Sequence, residues 1–84
     1  MSKLTAFVDE KNSWAAIFKR PQLSLDNAVD RQQIADMIDC ALSPENLNCD
    51  GEISRAAANR KYKALTAAAA ELLRLDPTVK MYEF

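Results

Sequence analysis

Gly51 is the only glycine among the 84 residues of this chain, and this scarcity limits the folds that the chain can adopt. Tight β-turns often need glycine, because it reaches positive φ without a steric clash. Alanine, the strongest helix former, is abundant and fills four consecutive positions from 67 to 70. The sequence therefore predicts an all-α fold, and its length predicts one small domain spanning residues 1–84.

Apolar residues at helical spacing predict a helix over Ala28–Leu42. Either Asp26 or Asn27 can cap its start, because both side chains accept hydrogen bonds from the first free backbone N–H groups. Ser43 and Pro44 end it. The apolar stripe comprises Ile34, Met37, Ile38, Ala41 and Leu42, with Val29 further upstream. The aspartates at its other positions predict a solvated acidic face.

A second apolar stripe predicts a longer helix over Arg55–Leu75, with Ser54 as its N-cap and Asp76-Pro77 as its stop. This stripe comprises Ala58, Tyr62, Leu65, Ala69 and Leu72, with Leu73 and Leu75 at its end. The two helices together predict an antiparallel helix–loop–helix. The residues that we expect to be largely buried are Ile38, Leu42, Ile53, Tyr62, Leu65 and Leu72.

Residues 3–20 predict an N-terminal helical segment that completes the core, because apolar side chains recur there every three or four positions. The pattern weakens in the middle, which leaves two alternatives. In one, Asn12 or Ser13 caps a shorter helix over residues 14–20, which Pro21 ends. In the other, residues 4–8 form a short strand.

Large apolar side chains concentrate at the end of this segment and in the tail of the chain. Trp14, Ile17 and Phe18 are most simply core residues, and the alternative is an exposed aromatic binding surface. The tail, residues 78–84, is rich in apolar side chains. It is expected to pack over the helices as a short strand or extended arm, or to dock on a partner.

The loop Asn46–Ala57 follows the twelve-residue calcium loop of an EF-hand at most of its positions. Gly51 falls on the sixth position, where the loop turns sharply and positive φ is expected. The candidate metal ligands are Asn46, Asn48, Asp50, Glu52 (through its carbonyl) and Ser54. The twelfth position, which normally supplies a bidentate carboxylate, is an alanine, so we expect an EF-hand-like turn without calcium.

Charge is uneven along the chain, although the net charge is −1. Residues 25–53 carry seven acids against one arginine, whereas residues 54–84 carry six basic side chains against three acids. The basic residues Arg55, Arg60, Lys61 and Lys63 open the long helix and are candidate nucleic-acid contacts. The pI near 5.3 and a loop far longer than a helix-turn-helix allows make a DNA-binding regulator the less favoured alternative.

The chain lacks the residues that several kinds of catalysis and ligand binding usually require. The chain has no histidine, which removes the commonest general base and the usual activator of a nucleophile. With one glycine it cannot build a phosphate-binding loop, and no cofactor is expected. Cys40 and Cys49 are expected to be free thiols, because no secretory signal opens the sequence. No apolar run approaches the length of a membrane span, and we expect a cytoplasmic protein that is not an enzyme.

The segment Leu47–Ala56, with its Cys-Asp-Gly-Glu core, followed by Arg60, Lys61, Tyr62 and Leu65, looks like a block in small uncharacterised accessory proteins of bacterial plasmids and phages. The resemblance implies a bacterial cytoplasmic accessory protein with no assigned reaction. The sequence as a whole favours a non-enzymatic binding module that acts through protein–protein contacts. The alternatives are a degenerate EF-hand-like metal binder and the DNA-binding regulator.

Overall fold

The computed structural model describes residues 2–47 and 55–84, and this part of the chain forms four helices and no strand. The helices are α1 (Lys3–Ile17), α2 (Ala28–Leu42), the single-turn α3 (Pro44–Leu47) and α4 (Arg55–Leu75). The predicted all-α fold is confirmed, and so are the predicted bounds of α2 and α4. The strand considered for residues 4–8 is wrong, because these residues lie inside α1.

Contacts at both ends show that α2 and α4 run antiparallel, as predicted. Arg31, near the start of α2, pairs with Asp76, directly after α4, with 2.7 Å between Nε and Oδ2. At the opposite end, the Nζ atom of Lys61 in α4 lies 3.4 Å from the carbonyl oxygen of Asn46, just after α2. α1 completes the domain by packing against α4.

The start of α1 is fixed by two acceptors. The Ser2 hydroxyl caps it and accepts a hydrogen bond from the backbone N–H of Thr5 at 3.0 Å. The carboxylate of Glu71, on α4, accepts from the backbone N–H groups of Lys3 and Leu4, each at 3.3 Å. A carboxylate at this position also complements the positive end of the helix dipole. α4 thus supplies part of the cap of α1.

The core lies where α1 and α2 meet α4. Its buried members are Leu4, Val8, Ile34, Ala35, Ile38, Leu42, Leu65, Ala68, Ala69, Leu72 and Val79. Small side chains of α2 and α4 lie at this interface, so the two backbones can approach closely. Ile38, Leu42, Leu65 and Leu72 are buried as predicted. Ile53 lies outside the described residues.

The prediction that Tyr62 is buried is wrong, since 52% of its surface is exposed. At 100° per residue, Tyr62 lies only about 20° around α4 from the fully buried Ala69. Its exposure therefore follows from its position along the helix, because the buried residues of α4 begin at Leu65. A tyrosine also tolerates such an edge position, because its hydroxyl remains in water.

Asn27, rather than Asp26, caps α2. Its Oδ1 atom accepts hydrogen bonds from the backbone N–H groups of Val29 at 2.8 Å and Asp30 at 3.2 Å. We expect Asn27→Ala to lower the free energy of unfolding by about 1 kcal/mol, because it leaves these donors without the cap. Asp26→Ala is the matched control, with an expected change within about 0.5 kcal/mol. Urea unfolding of both variants measures the difference, and equal losses would contradict the assignment.

The tail forms an extended arm along α2, one of the two arrangements expected within the domain. Gln32 of α2 pairs with both backbone groups of Lys80, accepting from its N–H at 2.9 Å and donating to its carbonyl at 3.1 Å. The carboxylate of Asp39 accepts from the backbone N–H groups of Tyr82 at 3.0 Å and Glu83 at 2.6 Å. The prediction of a merely solvated acidic face on α2 is therefore wrong at Asp39.

Candidate functional site

Three large apolar side chains at the end of α1 are exposed to solvent. The exposed fractions are 54% for Trp14, 66% for Ile17 and 63% for Phe18; we call this set the aromatic surface. The prediction that they are core residues is wrong. The buried side chains of α1 are Leu4 and Val8, both in its first half, so the second half of the helix contributes no buried side chain. The alternative prediction, an exposed aromatic surface, agrees with this geometry.

The side chains of the aromatic surface are ordered along one face of the helix. The rings of Trp14 and Phe18, one turn apart, stack with their centroids 6.1 Å apart and their planes 17° from parallel. One turn earlier, the ammonium of Lys11 lies 5.2 Å from the centroid of the Phe7 ring, within the range of a cation–π contact. These contacts already restrict the side chains, so a partner would find the rings largely preorganised.

The side-chain amide of Asn12 attaches the connector, the segment 18–27 between α1 and α2, to α1. The Asn12 side chain donates to the carbonyl of Leu23 at 2.9 Å and accepts from its N–H at 2.7 Å. Asn12 and Ser13 therefore do not cap a shorter helix, as one alternative predicted. The Ser13 hydroxyl instead donates to the carbonyl of Asp9, one turn earlier. The sequence showed no signal for the long-range pairing of Asn12.

α1 ends in a Schellman motif without glycine. Lys19 has φ of 54°, in the left-handed region that glycine normally occupies at this position. The backbone N–H groups of Lys19 and Arg20 donate back to the carbonyls of Ala16 at 3.3 Å and Ala15 at 2.7 Å. This reversal turns the chain sharply after Phe18, and residues 20–23 then form one wall of a groove beside α1.

We expect Lys19→Gly to raise the free energy of unfolding by about 1 kcal/mol, because glycine removes the clash of Cβ in the left-handed region. Lys19→Ala is the matched control, since it removes the same charge but keeps Cβ. Thermal or urea unfolding of the two variants separates the backbone effect from the charge effect. Equal stabilities for the glycine and alanine variants would contradict this explanation.

The groove, with a volume of about 400 Å³, lies between the end of α1, the connector and α2. Its apolar lining includes Trp14, Phe18, Leu23 and Met37. The charged side chains at its edge are Lys11, Arg20 and Asp30. Asp30 is already engaged, because its Oδ2 atom accepts from the backbone N–H of Ser24 at 3.0 Å. Because two cations face this one acid, the edge carries an excess of positive charge.

A polar cluster joins the connector, α2 and the end of α4. Arg31 binds the carboxylate of Asp76 and also donates to the carbonyl of Leu25 at 2.9 Å. Asp76 accepts a second set of hydrogen bonds from the hydroxyl and backbone N–H of Thr78. The hydroxyl of Thr78 and the Arg31 guanidinium lower the pKa of Asp76 from 3.8 to about 2, because both stabilise the charged carboxylate.

This lowered pKa makes the stability of the domain depend on acid pH. The folded form has the lower pKa, so the contribution of Asp76 is fully present above pH 3.8 and is lost as the pH falls towards 2. We expect Thr78→Val to raise the pKa of Asp76, and Asp76→Asn to remove this part of the acid sensitivity. Carboxyl NMR titration and urea unfolding between these pH values provide the measurements. An unchanged pKa in Thr78→Val would contradict the assigned cause.

Most of the EF-hand-like loop lies outside the described residues, including Gly51 and the candidate ligands Asn48, Asp50, Glu52 and Ser54. Asn46 is described and lies in α3, where its side-chain amide donates to the carbonyl of Cys40 at 2.6 Å and the hydroxyl of Ser43 at 3.0 Å. Within residues 2–47 and 55–84, no group of three or more cysteine or acidic side chains is placed to hold a metal ion.

The candidate nucleic-acid residues do not form one continuous basic face. Arg60 and Lys63 lie one turn apart on the exposed side of α4, whereas Lys61 lines a second groove between α1 and α4. At 100° per residue, Arg55 lies about 140° around the helix from Arg60. The four cations are all exposed, but they point in divergent directions.

No protein-family model matches this chain, and the searches of curated proteins and of solved structures returned no match. Among the described helices, none is long and apolar enough to cross a membrane.

Proposed function

We propose that this chain is a non-enzymatic binding module that docks a partner protein on the aromatic surface and in the adjoining groove. The observation that carries the proposal is the joint exposure of Trp14, Ile17 and Phe18 at one end of a helix. Clustered apolar side chains on a protein surface often mark an interaction site. Tryptophan in particular is enriched among the residues that dominate binding energy.

The arrangement of the rings adds to this support. Trp14 and Phe18 are stacked on one another, and their helix is fixed by the cap at its start and by the pairing of Asn12 with Leu23. Binding to side chains that are already ordered loses less conformational entropy than binding to free ones. The groove beside them gives a partner a concave apolar surface, which improves the exclusion of water from the contact.

The partner is expected in the cellular setting that the sequence indicated. The block Leu47–Ala56 resembles accessory proteins of bacterial plasmids and phages, so the partner is sought among bacterial cytoplasmic proteins. We assign the chain no reaction. Its expected effect is to occupy or recruit that partner.

The test is affinity capture from a bacterial lysate, with and without nuclease treatment, followed by calorimetry with the purified partner. We expect the double variant Trp14→Ser/Phe18→Ser to reduce affinity by roughly thirtyfold or more, as removal of central aromatic contacts does. Both side chains are more than half exposed, so their loss should leave thermal unfolding almost unchanged. Circular dichroism confirms that the variant remains folded.

Tyr82→Ser is the matched control, because Tyr82 is an exposed aromatic residue on the arm rather than on α1. Unchanged capture by Tyr82→Ser together with loss in the double variant supports the proposed surface. Loss of capture only in Tyr82→Ser would show that the partner binds the arm instead. Capture that disappears with nuclease treatment would overturn the proposal in favour of nucleic acid.

A further inference from the structure

We infer that the groove beside the aromatic surface selects an acidic amphipathic helix of the partner protein, an inference that rests on the function proposed above. The groove combines an apolar lining with cations at its edge. A partner segment must match both features. A positive charge of the partner next to Lys11 or Arg20 would be repelled, and the affinity would fall. The required segment has apolar anchors on one face and carboxylates beside them.

The positions of the cations set the expected spacing of the apolar anchors and carboxylates in the partner segment. Lys11 precedes Trp14 by almost one turn, and Arg20 follows Phe18 just after the end of the helix. The axial distance from Lys11 to Phe18 is roughly 10 Å at 1.5 Å per residue. A helix of the partner would span this length in about two turns, with anchors at i, i+3 or i+4, and i+7. Its carboxylates would lie on either side of these anchors.

The charge balance favours an acidic rather than a basic segment. Within the part of the chain that the structure describes, neither Lys11 nor Arg20 has a carboxylate within 4 Å, since the ion pair found there joins Arg31 and Asp76. Asp30, the acid at this edge, is bound to the backbone of Ser24. Lys11 also lines the second groove, together with Lys3, Lys61 and the acid Glu10. Basic side chains therefore outnumber acidic ones in the lining of both grooves.

Trp14 provides the readout, because it is the only tryptophan in the chain and forms part of the lining. The probes are three synthetic helical peptides of about 15 residues, free of tryptophan, with identical leucine anchors and glutamate, glutamine or lysine at the flanking positions. We expect the glutamate peptide to bind most tightly and to shift the Trp14 emission to shorter wavelength. The lysine peptide should bind most weakly, and added salt should reduce the difference between the two.

Charge reversal tests the selection directly. We expect Lys11→Glu/Arg20→Glu to weaken binding of the glutamate peptide by roughly tenfold and to strengthen binding of the lysine peptide. Lys11→Gln/Arg20→Gln, which only removes the charges, should give an intermediate result. The matched control is Arg60→Glu/Lys63→Glu, which changes the net charge equally but acts on the exposed side of α4. This control should leave the ranking of the three peptides by affinity unchanged.

Equal binding of the glutamate and lysine peptides, or no binding of the glutamate peptide at millimolar concentration, would overturn the inference. An equal effect of the α4 reversal would also overturn it, because the selection would then follow net charge alone. These failures differ from failure of the proposed function. If capture from lysate still depends on Trp14 and Phe18, the aromatic surface remains the docking site and only the acidic class of partner is wrong.

Discussion

Replacing Leu72 by alanine is expected to lower the free energy of unfolding by about 2–5 kcal/mol. Leu72 has no exposed surface and lies in the core between α4 and its neighbours. Truncation removes buried apolar contacts and leaves a cavity that the surrounding helices fill only in part. A domain of this size has a total stability of roughly 4–13 kcal/mol, so the loss is a large fraction of it. Urea unfolding followed by circular dichroism measures the change.

Leu75→Ala is the matched control, because Leu75 lies in the same helix but is 55% exposed. The same substitution there changes helix propensity equally and removes little buried surface, so we expect a change below about 1 kcal/mol. Similar losses in the two variants would show that the face of α4 assigned to the core is wrong. Substitution of Leu65, also buried, should resemble that of Leu72.

Enlarging Ala69 to leucine is expected to destabilise the domain by about 1–3 kcal/mol, although leucine is also a good helix former. Ala69 is fully buried, next to the equally buried Ala68. Its methyl group leaves no room for three more carbon atoms unless a neighbouring helix moves. The extra apolar surface therefore does not offset the strain of displacing packed side chains. Thermal and urea unfolding measure the effect.

Ala56→Leu is the control for this enlargement, because Ala56 is exposed near the start of α4. We expect its stability to change by less than about 0.5 kcal/mol. A neutral or stabilising Ala69→Leu would indicate that the interface has unfilled space. It would then follow that the alanines at 67–70 reflect helix propensity alone rather than close packing.

The helices that the sequence predicted best have explicit chemical boundaries. α2 begins after Asn27, an amide that caps helix starts, and it ends next to Pro44, which cannot continue the same hydrogen-bond ladder. α4 ends before Asp76-Pro77. Local chemistry of this kind is readable without any knowledge of tertiary contacts. The apolar stripes then indicated which faces meet, and Ile38, Leu42, Leu65 and Leu72 are buried accordingly. The stripes were wrong at their outer members, because Val29, Tyr62 and Leu75 are exposed.

The candidate site was harder to predict, because exposure depends on the lengths of neighbouring helices. Trp14 and Phe18 continue the same spacing as the buried Leu4 and Val8, so periodicity alone assigns them to the core. Only the structure shows that the buried side chains of α1 are confined to its first half. The turn at Lys19 lacks the expected glycine, and the pairing of Asn12 with Leu23 joins positions that show no local signal.

The tail illustrates a similar limit. Its apolar composition indicated that it would pack rather than remain free, but not where. Val79 is buried, and the backbone beyond it is bound by Gln32 and Asp39 of α2. These polar partners lie more than 40 positions earlier in the sequence. A side chain that binds backbone groups carries no pattern that identifies its distant partner.

The cap that Glu71 supplies to α1 has a consequence for the order in which the molecule assembles. It joins positions 67 and 68 residues apart, whereas only residues 43–54 separate α2 from α4. Closing the longer loop costs more chain entropy, so α1 is expected to join a preformed α2–α4 pair. The groove exists only once α1 has joined. A ligand that binds the groove therefore favours the assembled state by mass action. Binding of the ligand and docking of α1 onto the α2–α4 pair thus form one linked equilibrium.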